Sequence, residues 1–283
     1  MNGFLFINKE KNYTSRDICN IISKKYHTKK VGHLGTLDPF ATGLLIIALG
    51  SATKCLPFLN DDIKEYEATL FLGKKTSTGD PDGEVLEIKD VPLLDKKTVE
   101  EVFKSFLGEQ EQIPPMSSAI HVDGIKLYKL AHQGLEIERK PRRIFIYDIG
   151  LISMEGNIIK YRVLCSKGTY VRTLSEDIAK KLGTIGYLQE LKRTKVGIFN
   201  LVNSISISEI NDSSVLPIID VMTEVIPLYQ LSDKEEIQAK NGVMLNLNSN
   251  AKTLLLVNKN KDLIAIYGLN ESKHYGCLRG LWS

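Results

Sequence analysis

The chain has little cysteine, and none of it is placed for metal or disulfide chemistry. Cys19, Cys55, Cys165 and Cys277 are scattered, with no CxxC pair and no Cys/His spacing. That pattern argues against a structural zinc site or a disulfide scaffold and fits a reducing cytoplasm. Long hydrophobic runs are missing as well. The longest, Leu44 to Leu49, is far short of the ~20 residues that cross a bilayer. The N-terminus, MNGFLFINKEK, lacks the basic and then apolar stretches of a signal peptide. No dinucleotide fingerprint, phosphate loop or metal motif occurs, so neither a cofactor nor a metal is expected. There is no internal repeat and no low-complexity tract. Nor does one sign of charge dominate: 37 Lys and Arg against 34 Asp and Glu leave a net +3.

What is present is a chain of 283 residues, 43% hydrophobic and 25% charged, as in ordinary globular proteins. The length allows one large domain and a small one. Basic residues collect locally in KKYHTKK (Lys24 to Lys30), RKPRR (Arg139 to Arg143) and KRTK (Lys192 to Lys195). Each run is either a solvated face or part of a polyanion footprint.

FLFIN reads as an opening strand, followed by an amphipathic helix behind a Thr14/Ser15 cap, with Ile18, Ile22 and Tyr26 four apart. GLLIIALG is a buried strand, KEYEATLFLG a second, and TGDPDGEVLEI a turn leading into a third. Lys97 to Leu107 forms a helix with Val99, Val102, Phe103 and Phe106 on one face. From about Gln112 to Arg143 the texture turns polar and basic, with prolines, as in a functional excursion. RIFIYDIGLISM and NIIKYRVLCSKGTYV are further strands, and TLSEDIAKKLG is a helix closing on Gly183. A boundary near residues 228–232 precedes a small β-rich unit containing TLLLVN and LIAIYG. The fold class expected is α+β: residues 1–228 built on a mixed, mainly antiparallel sheet with flanking helices, and 229–283 as an appendage.

The loop VGHLGTLDPFATG holds a single acid, Asp38, with no other acid in the ten residues before it. Asp before Pro is a common turn opening. Yet Gly32, Gly35 and Gly43 allow close backbone approach, and an aspartate can act as nucleophile or base where a neighbouring cation keeps it ionised. Phosphoryl transfer through Asp38 would need further acids for magnesium, and a two-acid hydrolase would need a partner carboxylate; no motif nominates either. DPDG (Asp80 to Gly83) reads as a plain turn. Tyr66 is either a core aromatic or a platform for a base. Tyr170 and Arg172, two apart in an extended chain, would point the same way.

In order along the chain stand NKEKNYTSRD, KKVGHLGTLDPFATGLLIIALGSATK, KEYEATLFLG, TSTGDPDGE, IPPMSSAIHVDGIKLYKLAHQG and CSKGTYVRTLSEDIA. Together they resemble the bacterial TruB-type tRNA pseudouridine synthases, from about Phe4 to Asp220. The resemblance implies isomerisation of uridine to pseudouridine at position 55 in the T arm of tRNA, in the cytoplasm, without a cofactor, membrane or obligatory protein partner. It makes Asp38 the essential aspartate and Tyr66 the tyrosine that stacks on the base and helps remove its C5 proton. Arg172 becomes the arginine paired with Asp38, Tyr170 an aromatic of the pocket, and Leu191 a pocket leucine. His33 becomes the loop histidine against the flipped-out RNA, and Lys9 a lysine near the site. The excursion becomes an insert that clamps the RNA, and residues 229–283 a PUA-like RNA-binding domain. His121 and His132 stand where the family usually has lysine and arginine, which lowers the charge of that clamp. The alternative is an inactive or guide-dependent RNA-binding relative.

Overall fold

A computed structural model describes residues 1–116, 118, 121–122, 125–126, 135 and 137–281, with backbone alone at 121–122 and 125–126. The opening strand β1 (Gly3–Lys9), a short β2 (Val31–Leu34) and the apolar β3 (Thr42–Leu49) form one end of the main sheet. β3 lies between the other two and is antiparallel to both. Its six consecutive apolar residues have a simple cause. Leu45, Ile47 and Leu49 join the core on one face with Leu5 and Ile7. Leu44, Ile46 and Ala48 join the core on the other with Phe4 and Phe6. A strand covered on both faces has no position to give to a polar residue.

The sheet continues through β4 (Ile63–Leu72), β7 (Gly108–Gln112), β10 (Arg142–Glu155), β11 (Ile158–Ser166) and β12 (Gly186–Val196). The order is β1-β3-β12-β4-β11-β10-β7, with β2 on β3 and a short β13 (Phe199–Asn200) on β12, nine strands among the described residues. Every pairing is antiparallel except β3 with β12, where Thr42 and Gly43 run alongside Lys192 and Arg193. Gly43 makes this contact possible: its φ is +103°, and a Cβ there would lie 2.3 Å from the Arg193 carbonyl oxygen.

Helices α1 (Ser15–Lys25), α2 (Lys96–Lys104) and α3 (Val171–Lys181) cover one face. Ile18 and Ile22 of α1, Val99 and Phe103 of α2, and Leu174 and Ile178 of α3 enter one apolar core with the sheet. Full burial contributes roughly 2 kcal/mol for each such aliphatic side chain. Thr14 caps α1 and shares a capping box with Asp17, while Lys24 and Lys25 sit at the C-terminal end where the helix dipole favours cations.

The strand expected in EVLEI is β6 (Val85–Ile88), which pairs with β5 (Lys74–Thr76) in a hairpin separate from the main sheet, with all four β6 residues exposed. One reading of the sequence changes here. The strand expected to run through Tyr170 stops at Ser166, and α3 begins at Val171. Tyr170 is the residue flanking that helix and Arg172 lies in its first turn, so the two do not share one face of an extended chain.

Between β7 and β10 the chain leaves at Gln112 and returns at Arg142, which are paired across the ladder. Within this excursion β8 (His121–Val122) pairs with β9 (Ile125–Lys126). The His121 side chain and His132 lie outside the described residues. Past α4 (Ile218–Thr223), a second sheet joins β14 (Leu228–Gln230), β15 (Thr253–Val257), β16 (Leu263–Leu269) and β17 (Tyr275–Gly280). It carries a helix the sequence reading had as turns, α5 (Asp233–Lys240). Only Ala239 of α5 is buried, so no apolar stripe marks it; the Ser232/Glu235 capping box does. Leu255 and Ile266 of this sheet pack into the core that holds Phe4, Leu44 and Ile46. No described helix is long and apolar enough to cross a membrane.

Candidate active site

Asp38 sits in the loop joining β2 to β3, and its backbone is fastened from several sides. Buried Ser15 donates to the Leu37 carbonyl at 3.2 Å and accepts from the Leu37 N–H at 2.9 Å. Lys9 Nζ, fully buried at the end of β1, donates to the carbonyls of Pro39, Tyr13 and Glu10. Arg193 on β12 donates to the carbonyls of Gly35 at 3.1 Å and Thr36 at 3.3 Å. With its backbone held, the loop presents the Asp38 side chain, 32% exposed, to a cavity of about 280 Å³.

Arg172 faces it across this cavity. Its Nε lies 3.0 Å from Asp38 Oδ2, and its Nη1 lies 3.2 Å from Asp80 Oδ2 and donates to the Thr78 carbonyl at 3.1 Å. Asp80 is itself buried and accepts from Thr78 Oγ1 and from the Asp82 N–H. One guanidinium therefore holds two carboxylates. Burial still pushes the Asp38 carboxyl above its ordinary value; Arg172 pulls it back and Asp80 adds to the rise. This is the balance of a carboxylate kept partly dry, with one fixed counter-charge.

Tyr66 reaches the cavity from the middle of β4, Leu191 from β12, and Tyr170 from the start of α3. Burial pushes the Tyr66 hydroxyl up to about 12, with Arg193 opposing. The side-chain amide of Gln112, at the end of β7, clasps Tyr170: it donates to the Tyr170 carbonyl at 3.1 Å and accepts from its N–H at 2.8 Å.

Five of the seven residues singled out in the sequence thus line one cavity: Asp38, Tyr66, Tyr170, Arg172 and Leu191. His33 and Lys9 do not. His33 lies on β2 beside the loop, where burial lowers its tendency to carry a proton. Lys9 lies behind the loop with its ammonium spent on backbone carbonyls, so it supports the site from beneath. Burial lowers its pKa to about 8. Between about pH 8 and 10.5 the unfolded chain holds the Lys9 proton and the folded one does not, so folding stability from this group rises with pH across that window. Lys9→Met is expected to cost on the order of 2 kcal/mol, because three part-buried carbonyls lose the ammonium that donates to them. It is also expected to lack that alkaline gain; urea unfolding at pH 7 and pH 10 measures both.

Two contributors were misread. Asp80 reads in sequence as an ordinary turn acid, and only its burial against Arg172 sets it apart. Arg193 sits in a basic run yet is fully buried, neither a solvated face nor a polyanion contact. Its signal was the alternation on β12, where Leu191 and Arg193 point to the same side.

A family model described as "TruB family pseudouridylate synthase (N terminal domain)" matches residues 23–171, and one described as "tRNA pseudouridylate synthase B C-terminal domain" matches 172–218. The chain belongs to the TruB family. A TruB-family relative from Clostridium tetani, named tRNA pseudouridine synthase B, is 41% identical over 279 residues, 98% of this chain and 94% of that one. Another of the same name, from Hydrogenovibrio crunogenus, is 42% identical over 258 residues, 90% of this chain and 85% of the relative. Among solved structures, a Cbf5-Nop10-Gar1 complex contains a chain matching 99% of this one with a TM-score of 0.73 at 22% identity, covering 85% of its own length. At that identity the likeness speaks for the fold. The loop carrying Asp38 and the strand carrying Tyr66 fall within the first TruB match, and Arg172 opens the second.

Proposed function

We propose that this chain isomerises uridine to pseudouridine in tRNA, at position 55 of the T arm, with Asp38 as the essential group. The observation that carries the reading is Asp38, held by Arg172 at a cavity walled by Tyr66 and Leu191. The reaction breaks the N1–C1′ bond of uridine, turns the base and joins C5 to C1′. It neither oxidises nor reduces the substrate and adds no atom to it, so one carboxylate and a closed pocket are sufficient equipment. The target base is stacked in a folded arm, and extruding it costs roughly a few kcal/mol. Tyr66 offers a ring to replace the lost stacking, and Asp38 meets the exposed sugar. Arg172 keeps the carboxylate ionised and aimed.

On this reading the segment from 112 to 143 closes over the RNA arm, and residues 229–283 form a PUA-like surface that adds RNA contacts. A tRNA substrate places the work in the cytoplasm, and the chain acts alone. Its 41–42% identity to relatives named tRNA pseudouridine synthase B supports this over an inactive or guide-dependent role.

The test is direct. The purified chain is incubated with a T-arm stem-loop in the absence of metal, and pseudouridine is mapped by reverse transcription after carbodiimide treatment. A stop at the uridine equivalent to position 55 is the expected result. Release of free uracil, or a requirement for magnesium, would support a hydrolase instead. Affinity for the stem-loop is expected to fall at least about tenfold between 50 and 200 mM salt, because phosphate contacts supply most of it. Filter binding across that range checks this.

A further inference from the structure

Arg193 is an expensive residue to place where it lies. Its guanidinium is fully buried, and burying a charge is costly unless the surroundings compensate. The ion pairs around the cavity run through Arg172 and Lys64, and among the described residues none involves Arg193. Its partners are instead dipoles. Nε donates to the Leu44 carbonyl at 2.8 Å, and the two terminal nitrogens donate to Thr36 and Gly35. Tyr66 stands directly opposite Arg193 in the β4–β12 ladder, and both line the cavity. Gly35 is shaped for this approach: its φ is +71°, and a Cβ there would stand 3.3 Å from Arg193 Nη1.

The groups around Tyr66 come from four elements. Arg193 is on β12, Cys165 on β11, Asp38 on the loop, and Lys64 on β4 itself, two residues away. Arg193 in turn bears on Lys9, His33 and Lys64, all of which it disfavours as cations, while Asp61 is the acid that favours its own charge. Lys64 is already committed to Asp61, at 3.1 Å. That leaves Tyr66 as the group beside Arg193 that can become its counter-ion.

We propose that Arg193 is a positioning residue of the isomerisation, a buried cation that fixes the Asp38 loop and stabilises negative charge on the Tyr66 oxygen. The proposal rests on the uridine-isomerising reading above and assigns the proton movement within it. After C5 has joined C1′, the base still carries hydrogen on C5 and lacks it on N1. The Tyr66 hydroxyl gives its proton to N1, and the O–H electron pair stays on oxygen. That oxygen then takes the C5 hydrogen as a proton; the C5–H pair closes the C5=C6 double bond as the N1=C6 π pair returns to N1 as its lone pair. Tyr66 ends as it began, and no outside acid or base is consumed. Between the two transfers the phenolate faces a cation already in place, which is how a preorganised site stabilises a transient charge.

Tyr66 replaced by 3-fluorotyrosine gives a ¹⁹F signal that reports ionisation of this one phenol in the free enzyme, with no RNA present. Titrated with Arg193 intact and in Arg193→Gln, which keeps donors for the carbonyls but not the charge, the signal is expected to move at higher pH in the variant. The displacement expected is about one unit or more. Arg193→Lys keeps the charge, and its titration is expected to stay close to that with arginine even where the loop is loosened. It also serves if the glutamine variant does not fold. Identical titrations with Arg193 and Gln, or a displacement in the lysine variant as large as one unit, would overturn the proposal. Tritium release from C5-labelled uridine in tRNA tests the isomerisation separately. An enzyme that releases none defeats the proposed function and with it the step assigned to Tyr66. A normal rate in Tyr66→Phe defeats that step alone.

Discussion

Asp38→Asn is expected to reduce pseudouridine formation more than about a thousandfold while leaving tRNA affinity within about threefold. Whether the carboxylate attacks C1′, adds to the base or removes a C2′ proton, the amide can do none of these. The loop around it is held through the carbonyls of Gly35, Thr36, Leu37 and Pro39, none of which depends on the Asp38 side chain. The site should therefore keep its shape and lose only its chemistry. Residual turnover within tenfold of wild type would remove Asp38 from its role. A second outcome follows from its charge. The Asp38 carboxyl is raised in the folded state, with burial the largest cause, so the folded chain holds this proton more tightly than the unfolded one. Above its folded value the ionised group then works against folding, and below the ordinary carboxylate range it does not. Asp38→Asn is expected to be slightly more stable than wild type at pH 7, and the difference should vanish as pH falls below about 4. Thermal melts at both pH values test it.

Arg172→Ala is expected to do more damage than the loss of one ion pair suggests. The guanidinium is 5% exposed and bridges Asp38 and the buried Asp80, so its removal strands an acid at 8% exposure without that partner. Breaking a buried pair in this way costs about 3–5 kcal/mol. Turnover is expected to fall on the order of a hundredfold or more in whatever fraction folds, with tRNA binding reduced much less. The acid limb of the kcat/KM profile should move to higher pH, because Arg172 is the main influence that lowers the Asp38 pKa. In the proposed role Asp38 works as the carboxylate, so activity is expected to fall as pH drops through its raised value. Arg172→Lys keeps a charge but cannot fork to two carboxylates. It separates the effects, since it should fold better than the alanine variant yet stay well below wild-type turnover. Equal losses in binding and turnover for either variant would mean that Arg172 contributes to uniform binding rather than to chemistry.

The parts of this molecule that could be read from sequence were those with a repeating signal. β3, α1 and α2 carry apolar residues at strand or helix spacing, and each was found within a few residues. Asp38 was different: as a residue it looked like a turn acid, and only the sequence of motifs around it nominated it for the cavity where the structure puts it. Asp80 and Arg193 show why the rest was hidden. Both acquire their roles through contacts made far along the chain, Asp80 with Arg172 and Arg193 with the Gly35–Thr36 backbone. On β12, register shifts between Leu188 and Glu190 and between Arg193 and Lys195 confine the regular alternation to the short stretch around Leu191 and Arg193, so the signal there is too brief to stand out within a basic run. The helix read from Thr173 begins two residues earlier, at Val171, a start concealed by the strand-like texture of Thr169, Tyr170 and Val171. α5 lacked an apolar face altogether.

The hairpin root formed by Gln112 and Arg142 has a use beyond this enzyme. Because the two ends of that excursion are already paired, changing its length need not shift the ladder register of β4, where Tyr66 lies. What it shares with the reaction centre includes the Gln112 amide clasped to Tyr170. A designer who keeps Gln112 and exchanges the residues beyond it could graft new RNA preferences onto unchanged bond-making machinery. The same modularity offers a physical route by which one isomerase scaffold could diversify its targets while its chemistry stayed fixed.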